Sequence, residues 1–198
     1  MFNVATDFKV ELRVDGKLTP TSVRWPTDEE WATYIRKKPT VFKVLSRGRT
    51  QPLPSPTEGD LELYQKIQLN GAPPLSGAEA EGLINGFSLC EVMNVELGAE
   101  EAIIQMDTQL GEVKHTLKIP SMEQIRKFQA TAEITTRPQN QLIQVRHDAT
   151  PAGQLWDKCS PRTEGYEGPI PLHHKDVAIR QVIEALKRES QYGREENF

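Results

Sequence analysis

The sequence contains little cysteine and no long apolar run. Its 198 residues include two cysteines, Cys90 and Cys159, which form no CxxC motif, so we expect a reducing compartment and two small buried side chains. No segment approaches the roughly 18 apolar residues of a membrane helix. The first residues lack the basic segment and apolar run of a secretory signal. We therefore expect a soluble protein that is made inside a cell and has no membrane partner.

The sequence also lacks a strong excess of either charge. It has 24 Lys and Arg residues against 28 Asp and Glu residues, for a formal net charge of -4. This balance excludes a global electrostatic attraction to nucleic acid or to an anionic membrane, so any such binding must be local. The hydrophobic fraction of 37% is low, but three tryptophans accompany it, and we expect a folded core.

No strong catalytic motif is present. The sequence contains no GxxxxGK[ST], no GxGxxG and no GxSxG, which disfavours P-loop nucleotide hydrolysis and Rossmann-type redox chemistry. We therefore expect no enzymatic activity and assign no catalytic residue, no cofactor-binding residue and no metal ligand. We expect no cofactor.

Candidate catalytic groups are concentrated in the second half of the chain. They are His115, His147, Asp148, Cys159, His173 and His174. Histidine pairs that bind metal on a helix usually lie four residues apart, as in HExxH, and no such pair occurs. We expect one of the adjacent His173 and His174 to contact the first turn of the last helix and the other to face solvent. A metal-dependent hydrolase using His147, Asp148, His173 and His174 is an alternative function.

One phrase occurs twice. "SVRWPTDEEWATYI" (22–35) and "HTLKIPSMEQIRKFQ" (115–129) both combine a strand, a proline, a Ser or Thr helix cap and an amphipathic helix. The capping boxes consist of Thr27 with Glu30 and of Ser121 with Gln124. The first helix should begin at Asp28. The apolar positions predict a core that contains Trp25, Trp31, Tyr34, Ile125, Phe128 and Trp156.

Further segments agree at the same offset along the chain. "KVELRV" aligns with "AIIQMDT", and "LELYQKI" aligns with "GQLWDKC". The second alignment places Cys159 opposite Ile67, which favours a core position over a catalytic thiol. Agreement of several segments in one order indicates an internal duplication.

The duplication predicts an α+β fold of two similar modules, residues 1–97 and 98–198. Each module would contain a β-hairpin followed by helices, and the two would pack with pseudo-twofold symmetry. Asp15-Gly16 predicts the tight turn of the first hairpin. Closing helices are expected near 77–92 and 173–190, and the tail after them should be frayed.

The clearest difference between the modules is a basic segment, residues 36–49. Its cations are Arg36, Lys37, Lys38, Lys43, Arg47 and Arg49, and no acidic residue interrupts them. The prolines Pro52, Pro54 and Pro56 follow in what should be an extended surface loop. We predict that these residues bind a partner. A nucleic-acid-associated accessory factor that uses the basic segment is an alternative function.

The pattern R/K-x-P-[ST]-x-[DE]-[EQ] between strand and helix, "RWPTDEE" in the first half and "KIPSMEQ" in the second, resembles small virion and tail-assembly proteins of tailed bacteriophages. The resemblance implies a virion structural or tail-assembly protein that works by protein contacts. Its partners would be other subunits of the assembly or further copies of itself. Its location would be the virion or the host cytoplasm.

Overall fold

A computed structural model describes residues 7–14, 17–45, 49–54, 56–69, 71–109, 111–136 and 142–195. These residues form six helices and ten strands, and the strands make three antiparallel sheets. The predicted mixture of helices and strands is confirmed. The predicted Asp15-Gly16 turn and the predicted contact residue Arg47 lie outside the described residues.

The elements alternate along the chain. The strands are β1 (Asp7–Val14), β2 (Lys17–Arg24), β3 (Thr40–Val44), β4 (Thr50–Pro52), β5 (Cys90–Leu97), β6 (Glu101–Thr108), β7 (Gly111–Lys118), β8 (Glu133–Thr136), β9 (Leu142–His147) and β10 (Arg162–Glu164). The helices are α1 (Asp28–Lys37), α2 (Glu58–Ile67), α3 (Gly77–Phe87), α4 (Met122–Ala132), α5 (Thr150–Lys158) and α6 (Leu172–Glu195). None of these helices is long and apolar enough to cross a membrane.

The chain divides into two compact units whose boundaries differ from the predicted 1–97 and 98–198. The first unit contains Met1–Phe87 and Ala130–Ala149, and the second contains Ser88–Gln129 and Thr150–Phe198. The predicted junction falls inside a hairpin, because β5 pairs with β6 and the Gly98 amide donates to the Glu101 carbonyl at 2.8 Å. Ala130–Ala149 joins the first unit because β9 pairs with β3.

Both predicted capping boxes are present. In the first unit α1 begins at Asp28, where the Glu30 amide donates to Thr27 Oγ1 at 3.2 Å and the Thr27 amide donates to Glu30 Oε2 at 2.9 Å. At the start of α4 the Gln124 amide donates to Ser121 Oγ at 3.3 Å, and the Ser121 amide donates to Gln124 Oε1 at 2.7 Å. Each box pairs two amides that the helix itself leaves without acceptors.

The core of the first unit is built from α1, α2 and α3. Its buried apolar residues include Trp31, Ala32, Tyr34, Leu63, Tyr64, Ile67, Ala80, Leu83 and Ile84. They recur at the three- and four-residue spacing that places side chains on one face of a helix. The hairpin of β1 and β2 contributes the fully buried Val23.

A separate sheet of the first unit has the strand order β4-β3-β9-β8, and we call it the open sheet. None of the residues in its four strands is fully buried. The predicted surface loop after the basic segment is partly strand, because Thr50–Pro52 pairs with β3 as β4. The loop prediction overlooked this short edge strand, whose proline is compatible with an edge position.

The second unit combines a sheet of order β10-β7-β6-β5 with α5 and α6. On β6, the residues Ala102, Ile104 and Met106 alternate with more exposed ones and are completely buried. α6 contacts β5, β6 and α5, and it buries Ala178, Ile179 and Val182. Alternation on the strand and helical spacing on α6 thus supply two matching apolar faces.

Most of the predicted core residues are confirmed. Trp31, Tyr34, Ile125, Phe128 and Trp156 are buried, as is Cys159. Trp25 is only half-buried, because it lies between the end of β2 and the cap of α1. The closing helices are also found, but α3 ends at Phe87 and the last residues predicted for it belong to β5. α6 continues to Glu195, so the prediction of a frayed tail is wrong through that residue.

Candidate functional site

The second unit contains three buried histidines and a half-buried cysteine, which was expected to be buried. They are His115, His173, His174 and Cys90, and we call them the histidine cluster. Cys90 is the first residue of β5, His115 lies in the middle of β7, and the other two histidines lie in the first turn of α6. Three separate elements therefore supply the cluster.

The adjacent histidines of α6 are both buried. His173 is 4% exposed and His174 is 0% exposed, and their ring centroids lie 4.3 Å apart with an interplanar angle of 74°. The prediction that one of them faces solvent is wrong. Neighbouring residues on a helix diverge by about 100°, so both can be buried only where the helix is covered on more than one side. α6 meets this condition through its contacts with β5, β6 and α5.

His115 enters the cluster from the sheet. Val113, His115 and Leu117 occupy the buried face of β7. The His115 Nδ1 atom lies 2.9 Å from Thr163 Oγ1 on β10, and the imidazole packs edge-on to Trp156 with ring centroids 4.9 Å apart. Its Nε2 atom is buried and has no hydrogen-bond partner among the described residues. An unsatisfied buried nitrogen is costly, so it requires an explanation.

Three donor atoms of the cluster converge. One ligand atom from each of Cys90, His173 and His174 lies within 4.8 Å of the other two. Thiolate sulfur and imidazole nitrogen are the usual protein ligands of Zn²⁺, at about 2.3 Å and 2.0–2.1 Å from the metal. Those bond lengths correspond to donor separations of about 3.3–3.8 Å in a tetrahedron, so the three side chains need only small adjustments to share one ion.

Burial sets the protonation of the cluster. It lowers the pKa of His115 to about 4, and burial, with a smaller repulsion from His115, lowers the pKa of His174 to about 4. Burial and the neighbouring His174 also hold the pKa of His173 well below its ordinary value. Burial raises the pKa of the Cys90 thiol to about 12. At neutral pH the imidazoles are therefore uncharged and the thiol is protonated.

The residues of the alternative hydrolase site are divided between the two units. His147 belongs to the first unit, where its Nδ1 atom lies 3.7 Å from Glu133 Oε2. Asp148, also in the first unit, donates its amide to the Ala132 carbonyl at 2.9 Å. His173 and His174 belong to the second unit, where they lie beside Cys90. The sequence analysis did not identify Cys90 as a member of the histidine cluster. For His115, the available signal was the period-two alternation of apolar residues along β7, in which His115 occupies an inward-facing position.

The basic segment is divided among several environments. Lys38 lies 2.9 Å from the buried Asp60 and 3.2 Å from Glu81, and Lys37 lies 2.6 Å from Glu62. Arg36 Nε donates to the Ala32 carbonyl of its own helix. The remaining described residues of the predicted contact set are exposed, and they are Lys43, Arg49, Pro52, Pro54 and Pro56. Asp60 and Glu81 therefore give Lys38 a role inside the first unit.

Comparison with known proteins found no matching family model, no matching curated protein and no matching solved structure.

Proposed function

We propose that the protein is a non-enzymatic interaction component of a larger assembly. The setting implied by the resemblance is a bacteriophage virion or tail under assembly, with other protein subunits as partners, in the virion or the host cytoplasm. The observation that supports the proposal is the partial exposure of the open sheet: α1 contacts β9, yet no residue of the four strands is fully buried. A sheet normally buries at least one face against another layer.

Five apolar side chains of the open sheet lie on one face. Phe42 is opposite Ile143 in the register of β3 and β9, and Phe42 is also opposite Pro52 of β4. Directly opposed residues of antiparallel strands share a face, and alternate residues return to it. Val44 and Val145 therefore lie on the same face as Phe42. We call these five residues the apolar face, and every one of them is partly or fully exposed.

The opposite face of the open sheet is mixed. It carries the polar residues Lys43, Gln51, Gln144 and Arg146 beside the apolar residues Val41, Leu142 and Ile134, and the relative exposure of Ile134 is 56%. An exposed set of apolar side chains on one face favours a partner with an apolar surface of its own. Another protein subunit supplies such a surface more readily than a nucleic acid does.

Adjacent residues of β8 provide a matched test. Thr135 is opposite Val145, on the apolar face, whereas Thr136 is opposite Gln144, on the other face, and both threonines are exposed. Thr135→Arg places a charge on the apolar face, and Thr136→Arg places the same charge on the opposite side of the same strand. We expect the first variant to lose assembly, measured as solution mass by light scattering, and the second to keep it. Equal behaviour of the two folded variants would contradict a contact through the apolar face.

The order of elements supports the proposed duplication. β1, β2 and α1 form a hairpin and a capped helix, and β6, β7 and α4 form another. Two strands and two helices follow the first set, and the same elements with the additional strand β10 between the helices follow the second. We propose that one ancestral module gave rise to both. In the open sheet β3 pairs with β9. β3 is the first strand after α1, whereas β9 is the second strand after α4, so the two strands are not equivalent in the proposed modules. A twofold axis would pair equivalent strands, and this sheet therefore does not support the predicted pseudo-twofold symmetry.

A further inference from the structure

We propose that the histidine cluster is a structural site for a divalent transition metal, with Zn²⁺ as the best-fitting ion. Cys90, His173 and His174 would supply three ligands, and His115 would supply the fourth through Nε2. The proposal is independent of the assembly function and concerns the second unit alone.

The convergence of three donors is the first observation. The ligand atoms of Cys90, His173 and His174 already lie within 4.8 Å of one another. Their chemistry selects the ion, because imidazole and thiolate favour zinc and cobalt, whereas Mg²⁺ and Ca²⁺ require oxygen ligands. The group of three contains no carboxylate.

The orientation of His115 is the second, independent observation. His115 is 0% exposed, and its Nε2 atom has no hydrogen-bond partner in the described part of the chain. The tautomer in which Nδ1–H donates to Thr163 Oγ1 leaves the Nε2 lone pair available for a metal. Metal-binding histidines commonly hold their second nitrogen in such a hydrogen bond, which fixes the ring orientation. Thr163 is 2.9 Å from Nδ1 and fills that position.

His115 lies outside the group of three converging donors, so it would become the fourth ligand through a movement of its side chain towards them. Four protein ligands would occupy every position of a tetrahedral ion, and structural zinc sites have this closed form, whereas catalytic sites keep one position for water. The metal would tie the first turn of α6 to β5 and β7, the strands that supply Cys90 and His115.

Binding has a defined proton balance. The metal–Sγ bond forms as the S–H bond of Cys90 breaks, and the thiol proton passes to solvent. The three imidazoles bind as neutral ligands and release no proton. One proton is therefore released for each divalent ion bound, and affinity falls as the pH falls.

The test is a titration of untagged full-length protein, stripped with a chelator, with Co²⁺ followed by competition with Zn²⁺. We expect one Co²⁺ per chain, a thiolate-to-cobalt charge-transfer band, and loss of that band as Zn²⁺ is added. Cys90→Ser should remove the band. His115→Gln should keep the band and weaken metal affinity by at least about 10-fold, because the loss of even an outer-shell partner of a metal site costs about 10- to 100-fold.

Cys159→Ser is the matched control, because Cys159 is a buried thiol of the same unit outside the group of three converging donors. This variant should bind Co²⁺ like the wild type. Failure of the folded wild-type chain to take up either metal in equilibrium dialysis overturns the proposal without relying on any variant. A band that survives Cys90→Ser and disappears in Cys159→Ser would also overturn it.

Discussion

Lys38 Nζ lies 2.9 Å from Oδ1 of Asp60, whose side chain is completely buried. Tyr34 also donates its hydroxyl hydrogen to Asp60 Oδ1 at 2.8 Å. Burial lowers the pKa of Lys38, but the hydrogen bonds with Asp60 and Tyr34 outweigh it and raise that pKa above its ordinary value. The lysine therefore neutralises a buried carboxylate at the centre of the first unit, and its substitution tests folding before it tests partner binding.

The first prediction concerns this ion pair. Lys38→Met should lower the free energy of unfolding by about 3–5 kcal/mol, because it leaves the charge of Asp60 buried without its cation. The neighbouring variant Lys37→Met is the control. Lys37 and Glu62 are both about half exposed, and a surface pair of this kind contributes little to stability. Urea denaturation measures both, and similar losses in the two variants would show that the Asp60 pair has no special role.

Acid stability should depend on Glu30. The side-chain hydrogen bond with Arg24 is the main reason that the pKa of Glu30 falls to about 2, from an ordinary value of 4.5. Since the folded-state pKa is the lower one, the stabilisation is fully present above pH 4.5 and is lost as the pH falls towards 2.

Glu30→Gln should therefore reduce stability at pH 7 and flatten its decline in acid. After solvent screening we expect a contribution of about 1 kcal/mol. Urea unfolding at several pH values measures the change, with Glu29→Gln as the exposed control on the same helical turn. A Glu30→Gln profile parallel to that of the wild type between pH 2 and 5 would refute this role.

Both capping boxes should contribute similarly to stability. Ser121→Ala removes the acceptor of the Gln124 amide, and Thr27→Ala removes that of the Glu30 amide. Each substitution should cost about 1 kcal/mol. Thermal unfolding provides the measurement, and Gln129→Ala, at an exposed position within α4, should change stability by less than about 0.5 kcal/mol. A cap variant as stable as this control would argue against the box.

The exposed cations should influence association through charge. Lys43 lies on the mixed face of the open sheet and Arg49 lies just before β4. Lys43→Glu combined with Arg49→Glu should weaken assembly at low salt by reducing long-range attraction to an acidic partner, an attraction that the added cation of Thr136→Arg does not oppose. The effect should be smaller at high salt, because screening reduces exposed charge interactions. Sedimentation at two salt concentrations measures this. An unchanged association at both would remove these cations from the contact.

The nucleic-acid alternative makes a different prediction for the same residues. A chain that binds phosphates through several cations loses affinity steeply as salt rises. Two of the six cations in the basic segment, Lys37 and Lys38, form ion pairs within the first unit. Binding of a labelled oligonucleotide across a salt series distinguishes the cases, and a steep slope that Lys43→Glu and Arg49→Glu reduce would favour the alternative.

Local features of the fold could be predicted because their determinants lie within a few residues. Thr27 and Glu30 are three positions apart, as are Ser121 and Gln124, and the sequence shows each box directly. The histidine cluster differs in this respect. Cys90, His115 and His173 are distant along the chain and meet only when α6 packs against β5 and β6.

The division into units was unpredictable for the same reason. The pairing of β9 with β3 joins strands about a hundred residues apart, and no local propensity specifies such a partner. An alignment of two similar halves places every element of the second half in the second module. Tertiary pairing instead places Ala130–Ala149 with the first unit.

The most direct test of the central claim is the solution mass of the wild-type chain, measured by light scattering behind a sizing column over a range of protein concentrations. If the apolar face of the open sheet joins copies of this chain, the mass will be a defined multiple of 22.4 kDa, and Thr135→Arg will reduce it while Thr136→Arg will not. A mass of 22.4 kDa at every concentration, at both low and high salt, would contradict assembly through self-association.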